Sequence, residues 1–315
     1  MKKIALILLS AITFASCEKL QEGVVHTVEF PDRDPVISAT LIASNADSVL
    51  HAYIISTASV LDTAGPQVLQ DAVITLQDSY GNILHSFTSE NEVDTVYTLD
   101  LGEQVGQLEG DVTLKVSAPE FDEVEATTTM PSDFNATVDF TPNADTVMML
   151  GMQMIQDQYI VHLDNTPNLH EAYIIEFEGR FYDDFSGEET EWISLYAQAK
   201  PDPRVEVVGF FSDNFWLNSM MVSDETVQNN TSGLQDLYFL TENFNAFEGG
   251  MQLLEARVRI HSLSDELERY YRNVSQFMDN EYSLFAEPML MYSNMSSGFG
   301  CFGLANEQVF EVEVN

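Results

Sequence analysis

Residues 24–129 form a succession of short runs rich in β-branched and aromatic residues, each closed by turn-forming residues, and that punctuation favours antiparallel sheet above any other fold. The runs are 24–30, 36–43, 49–59, 72–77, 83–88, 96–101, 112–118 and 124–129, with a tight hairpin connection at 78–82. Eight short strands in about a hundred residues predict a β-sandwich of immunoglobulin or transthyretin type. Met130-Pro131-Ser132-Asp133 breaks the rhythm, and Thr141-Pro142-Asn143 follows soon after, so a linker is expected over 131–146. Beyond it, 147–155, 158–164, 172–179, 191–199, 205–211, 237–240 and 251–263 again read as strands, longer and richer in aromatics, and Phe310 to Val314 alternates as a final strand. One amphipathic helix interrupts them. Ser262 or Ser264 can cap it, Asp265 and Glu266 complement its dipole, and Leu267, Tyr270, Tyr271, Val274, Phe277 and Met278 recur at spacings of three and four until Asp279-Asn280. The fold class is therefore all-β: a sandwich over 24–130, then a second β-rich domain over 147–315 carrying one helix.

Charge narrows the partners. With 51 Asp and Glu against 12 Lys and Arg the formal net charge is −39, and after Lys19 the only lysines are Lys115 and Lys200. Nucleic acid is excluded as a partner, because neutralising phosphates requires a basic stripe. Hydrophobic residues at 45% mark a chain that folds, despite its acidity.

The residues that carry chemistry are scattered. Histidines at 26, 51, 85, 162, 170 and 261 form no HxxxH or HxH pair, and there is neither a GxSxG elbow nor a phosphate-binding loop. Gly298, Gly300 and Gly303 match a bare GxGxxG spacing, but no helix follows, so they are expected to be turn or bulge glycines where backbones approach closely. Two carboxylate clusters are dense: Asp32 with Asp34, and Asp183 and Asp184 with Glu188, Glu189 and Glu191 across the Gly187 turn. An acidic hairpin tip can supply several of the oxygens calcium takes, but the ordered calcium-loop spacing is absent, so a calcium site competes with a solvated acidic loop. Met148, Met149, Met152 and Met154, with Met220 and Met221, could bind copper(I) or varied partners, and strand-core filling is the plainer use. The aromatic stretch 210–217 is read as a loop, either a core plug or an exposed ligand or partner surface carried by Phe211, Phe215 and Trp216. No catalytic constellation emerges. The chain is expected not to be an enzyme, and to hold no metal or cofactor beyond that calcium alternative.

The first residues read as an export signal: Lys2 and Lys3, a largely apolar run over 4–14, then Ala15-Ser16-Cys17. The Phe14-Ala15-Ser16-Cys17 ending resembles a bacterial lipoprotein box, with Phe14 where Leu is more usual. That resemblance implies cleavage of residues 1–16, a lipid on the Cys17 thiol and a polar tether over 17–23. Acyl chains contribute about 0.8 kcal/mol per buried methylene, so several on one cysteine anchor a soluble domain at a membrane without protein help. Lipidation of Cys17 leaves Cys301 as the one remaining thiol, expected to be buried and structural. Asp47-Ser48-Val49, Asp62-Thr63-Ala64, Asp94-Thr95-Val96 and Asp145-Thr146-Val147 resemble the O-glycosylation signal of exported Bacteroidota proteins.

A wider layout is shared. His261-Ser262-Leu263-Ser264-Asp265-Glu266-Leu267 running into Tyr270-Tyr271, then Phe285-Ala286-Glu287-Pro288, then Asn294 to Gly303, resembles the Bacteroidota lipoprotein family known as domain of unknown function 4249. Ser296-Ser297 stands where that family more often has Gly-Gly. The family's members resemble surface partners of TonB-dependent, SusC-like outer-membrane barrels. The resemblance thus implies an outer-membrane, lipid-anchored protein that partners a TonB-dependent barrel and helps to capture its ligand; Cys17-Glu18-Lys19, which resembles Bacteroidota surface-export signals, favours the outward face, with the periplasmic face as the alternative. An accessory subunit of an outer-membrane assembly or export complex is the alternative.

Overall fold

A computed structural model describes residues 34–58, 65–88, 96–101, 108–149, 152–164, 170–212, 215–223, 236–243, 251–281 and 290–314. Cys17, the export segment, the tether, the 24–30 run and Asp32 lie outside the described residues. Val36–Thr57 and Pro66–Asn315 pack as one unit.

In chain order the strands are β1 (Ile37–Ser44), β2 (Val49–Ser56), β3 (Gln67–Val68), β4 (Val73–Asp78), β5 (Ile83–Thr88), β6 (Tyr97–Asp100), β7 (Asp111–Ser117), β8 (Val124–Thr129), β9 (Ala136–Met149) and β10 (Met152–Leu163). There follow β11 (Ala172–Asp183), β12 (Glu188–Glu189), β13 (Ile193–Ser194), β14 (Ala197–Ala199), β15 (Val205–Ser212), β16 (Phe215–Ser223), β17 (Leu237–Glu242) and β18 (Met251–Leu263). The helix α1 (Asp265–Glu281) and β19 (Phe302–Val312) complete the chain. The all-β class with a single helix among the described residues is what the patterning predicts.

The strands form three sheets. An 11-stranded sheet runs β15-β16-β11-β18-β19-β1-β2-β3, with β12 and β13 on β11 and β6 on β2; a four-stranded sheet runs β5-β4-β7-β8; another runs β14-β17-β10-β9. Ile37, Leu41, Leu50 and Ile54 of the long sheet share a core with Ile74, Leu76, Leu114 and Val116 of the first small sheet. Ile175, Phe177, Val258 and Ile260, further along the long sheet, share a second core with Tyr159, Val161, Leu237 and Phe239 of the other. Each such buried aliphatic side chain contributes about 1.5–3 kcal/mol. The second core is threaded by rings: Phe140 to Tyr159 at 5.0 Å, Tyr159 to Phe177 at 5.1 Å and Phe177 to Phe239 at 5.1 Å.

The boundary expected over 131–146 does not separate two folds. The long sheet takes strands from both sides of it, joined by β19, whose Phe302–Ala305 end pairs in parallel with β1 while its later residues pair antiparallel with β18. The residues expected to be a linker lie largely within β9. Thr141-Pro142-Asn143 looks like a turn, but β9 is an edge strand, where proline's missing N–H costs no ladder bond, and Asn143 takes the irregularity at φ +55° beside a register shift in β10. The break between the expected 147–155 and 158–164 strands is also misplaced: β10 runs unbroken past Gln156 and Asp157, and the connection falls between Met149 and Met152.

β19 starts earlier than its alternation suggests, because Phe302 to Glu307 are buried on both faces and so do not alternate in polarity. Phe302 and Leu304 enter the first core, Ala305 meets the helix, and a Cβ on Gly303 would lie 2.8 Å from Leu267 Cβ. The glycine cluster thus serves close backbone approach. Phe299 and Cys301 accept hydrogen bonds from the N–H groups of Ala39 and Leu41, both at 2.9 Å.

Helix α1 begins at Ser264, whose Oγ accepts from the Leu267 N–H at 3.4 Å. Leu267, with Tyr270 and Tyr271, packs on Ile174, Met221, Leu263 and Ala305. Successive strand residues face opposite sides, so Met220 enters the second core while Met221 lies under α1.

Candidate functional site

Two concavities reach Leu263, one to each side of the start of α1. The smaller, about 180 Å³, opens onto a band of charged side chains on the α1-bearing face of the long sheet. Residues at alternate positions share a face, which places Glu176 and Glu178 of β11 with Arg257, Arg259 and His261 of β18 and Glu307 of β19. Arg259 grips Glu307 through Nε at 3.0 Å and Nη2 at 2.8 Å, and Arg257 Nε reaches Glu178 Oε2 at 2.5 Å while stacking 4.2 Å from the Trp192 ring centroid. His261 lies between Glu176 Oε2 at 3.2 Å and Glu307 Oε2 at 3.6 Å. Burial on its own would raise the Glu176 carboxyl; His261, Arg259 and the Ser219 hydroxyl outweigh it and hold the group below the usual carboxylate range. Burial would likewise lower Arg259, and Glu307 overrides it upward. Burial pushes the Tyr271 hydroxyl up, with the Glu176 charge adding to it. Each charge in the band has an opposite partner close by, so the band ties β11, β18 and β19 together rather than waiting for a ligand.

The larger cleft, about 500 Å³, is the candidate binding site. It forms where the Thr129–Asn135 stretch crosses from the first small sheet to β9 and passes β11, the end of β18 and the first turn of α1. Asp133, Asp164, His170, Glu171, Asp265 and Glu266 line it, with the buried Tyr173 and Leu263 behind them. The fold fixes these groups individually. Asn306 Nδ2 donates to Asp133 Oδ1 at 3.0 Å, the Thr128 hydroxyl donates to Glu266 Oε2 at 2.7 Å, and Phe134 meets Tyr173 edge-on with centroids 5.3 Å apart. His170 Nε2 sits 2.5 Å from Glu268 Oε2, and Glu268 in turn accepts both Arg272 Nε and Nη2 at 2.9 Å. Five carboxylates line the cleft without a lysine or arginine among them, so its field is negative. Such a surface suits a cationic or hydroxyl-rich group.

Sequence reasoning missed this cleft. Its residues were legible only as a chain break at 130–133 and as acids complementing a helix dipole, and no linear spacing relates them.

The residues expected to form a recognition surface lie elsewhere. Phe211, Phe215 and Trp216 are not in a loop: they lie on paired strands β15 and β16, Phe211 opposite Trp216 and Ser212 opposite Phe215, with Asp213-Asn214 and the side chains of 209–218 outside the description. The alternation of that stretch is interrupted by polar residues, which is why it reads as a loop. Core filling holds for Met220 and Met221, at 2% and 1% exposure, and fails for Met148, at 71%. The acidic tip of β11–β12 is organised by its own backbone: Asp183 accepts the Phe185 N–H and the Ser186 hydroxyl, both at 2.9 Å, and these bonds lower its pKa. Among the described residues no three His, Cys, Asp or Glu side chains stand close enough to hold a metal ion. Cys301 is buried, and burial, reinforced by Glu266, pushes its thiol up to about 12. No described helix is long and apolar enough to cross a membrane. Comparisons with known protein families and with curated proteins find no match.

Proposed function

We propose that this chain is a non-enzymatic outer-membrane lipoprotein, anchored by lipid on Cys17 and outward-facing, that partners a TonB-dependent, SusC-like barrel and helps to capture its ligand. The observation that carries the reading is the N-terminal sequence, a basic start and an apolar run ending in Ala15-Ser16-Cys17. The negative cleft beside α1 supports the ligand-capture part, since a ligand presented to a barrel must be held by a preformed concave surface. Anchoring in the same membrane raises the local concentration of both partners, so modest contacts suffice. Cys17→Ser tests the anchor: the variant should be recovered unlipidated in the soluble fraction, while the parent labels with radioactive palmitate and partitions into detergent. A parent chain that takes up no palmitate contradicts the reading.

A further inference from the structure

The β9–β10 hairpin extends past its own sheet. β17 pairs with β10 only from Gln156 to Val161, and the last outward bond of β10 is the Ile155 carbonyl accepting the Asn243 N–H at 3.0 Å. Beyond that point β9 and β10 pair with each other alone among the described residues, through Thr146 with Ile155, Val147 with Met154, Met148 with Gln153 and Met149 with Met152. The β9 side of the ribbon is open on both faces, for Thr141 to Met148 are exposed without alternation, Met148 at 71% and Val147 at 37%, while Met154 and Ile155 of β10 are half-buried. It is also without charge. From 146 to 155 the sequence reads TVMMLGMQMI, in a chain whose residues are one fifth charged.

These features conflict with survival in water alone. Two-stranded ribbons are marginal by themselves, and exposed edges are ordinarily blunted by lysine, proline, a bulge or an inward charge. The bulge and Pro142 lie at the base of this ribbon, and among the described residues nothing blunts it further out. Three occupants could cover it. A second copy would bring two chains of net charge −39 together, and a bilayer would leave the ribbon-edge N–H and C=O groups that have no partner among the described residues unsatisfied while repelling the acidic body. A protein strand satisfies both the edge and the apolar side chains.

We propose that the outer β9–β10 ribbon is a docking arm that takes an unpaired β-strand edge of a partner protein, apolar along the strand and flanked by basic residues that meet Asp145 and the acidic body. The arm gives the lipoprotein reading a contact surface, but it does not require that the partner be a barrel.

The test is photocrosslinking of the full lipidated chain in its native cells, with benzoylphenylalanine at Met148 and, as a control, at Tyr80, exposed at 90% on the β4–β5 turn. Position 148 should crosslink to one protein, within a peptide that forms a β-strand there, and position 80 should not. The doubly substituted Val147→Lys, Met148→Lys chain should lower recovery of that protein at least about tenfold with an unchanged unfolding midpoint, because both residues are exposed. Crosslinks to lipid, to a second copy or to nothing overturn the arm, as does undiminished recovery with the lysines. If the crosslinked strand belongs to a protein other than a barrel, the arm stands and the barrel reading fails; if the parent chain purifies with a barrel that position 148 never touches, the arm alone fails.

Discussion

Gly300 sits at φ +109°, and a Cβ there would lie 1.9 Å from the Ala39 carbonyl oxygen, in the backbone of β1. Neither contact nor dihedral can relax without moving the strand, so Gly300→Ala should cost about 3 kcal/mol or more in urea unfolding. Gly110→Ala, at φ +62° with nothing within 4 Å, should cost only about 1 kcal/mol. Arg259→Met leaves Glu307, a side chain only 5% exposed, without its bidentate partner, and a loss of about 2–4 kcal/mol is expected in the same measurement. Two histidines should titrate in opposite directions by NMR. Burial tends to lower His162, but the hydrogen bonds it donates to Asp139 and Asp236 outweigh it and raise it above 6.5, so its stabilising contribution is complete below about pH 6.5 and fades as pH rises through the folded value. Burial lowers His85 beneath 6.5, so its contribution is present above that pH and is lost as pH falls through the folded value. Coincident midpoints for the two imidazoles would contradict these assignments. None of these environments is visible in linear sequence, where the six histidines look alike.

Ser264 does two jobs at the junction of α1 and β19. Its Oγ accepts from the Leu267 N–H and from the Leu304 N–H at 3.2 Å, while its own N–H donates to the Leu304 carbonyl at 2.9 Å. Ser264→Ala should therefore cost towards the upper end of the usual cap loss, about 2 kcal/mol, and Leu267→Ala, at a site 1% exposed, about 2–5 kcal/mol. A midpoint unchanged by either substitution would mean that α1 is not tied to the sheet as described. The start of the helix was legible, because cap, acidic first turn and apolar spacing agree with one another; its end was not, for α1 runs through Asp279-Asn280 to Glu281, and Phe277, read as part of the apolar stripe, is 41% exposed. The strands of the first small sheet were equally legible from alternation and the 78–82 turn. Legibility failed where a strand has lost its alternation: in Phe302 to Glu307, because both faces are buried, and in Thr141 to Met148, because both are exposed. Composition alone cannot distinguish such segments from a loop or a linker.

At the scale of the whole molecule, β19 closes the arrangement by joining strands from the two ends of the described chain, β1 in parallel and β18 antiparallel. Such a joint depends on pairing between residues some 260 positions apart, as in Asn45 donating to Asn306 Oδ1 at 2.9 Å, and so leaves no local trace that would have prevented a two-domain reading. The cleft shares that origin, since its walls come from β8, β11, β18 and α1 and meet only when the long sheet forms. The sheet holds the cleft and carries the ribbon, while the proposed lipid on Cys17 would bring both to the membrane. The most direct measurement is a mild-detergent purification of the tagged, lipidated chain from outer membranes, with the stoichiometry of what accompanies it determined by mass spectrometry. The account predicts a TonB-dependent barrel at close to one copy per chain; recovery of the chain alone, or with assembly or export components instead, would contradict it.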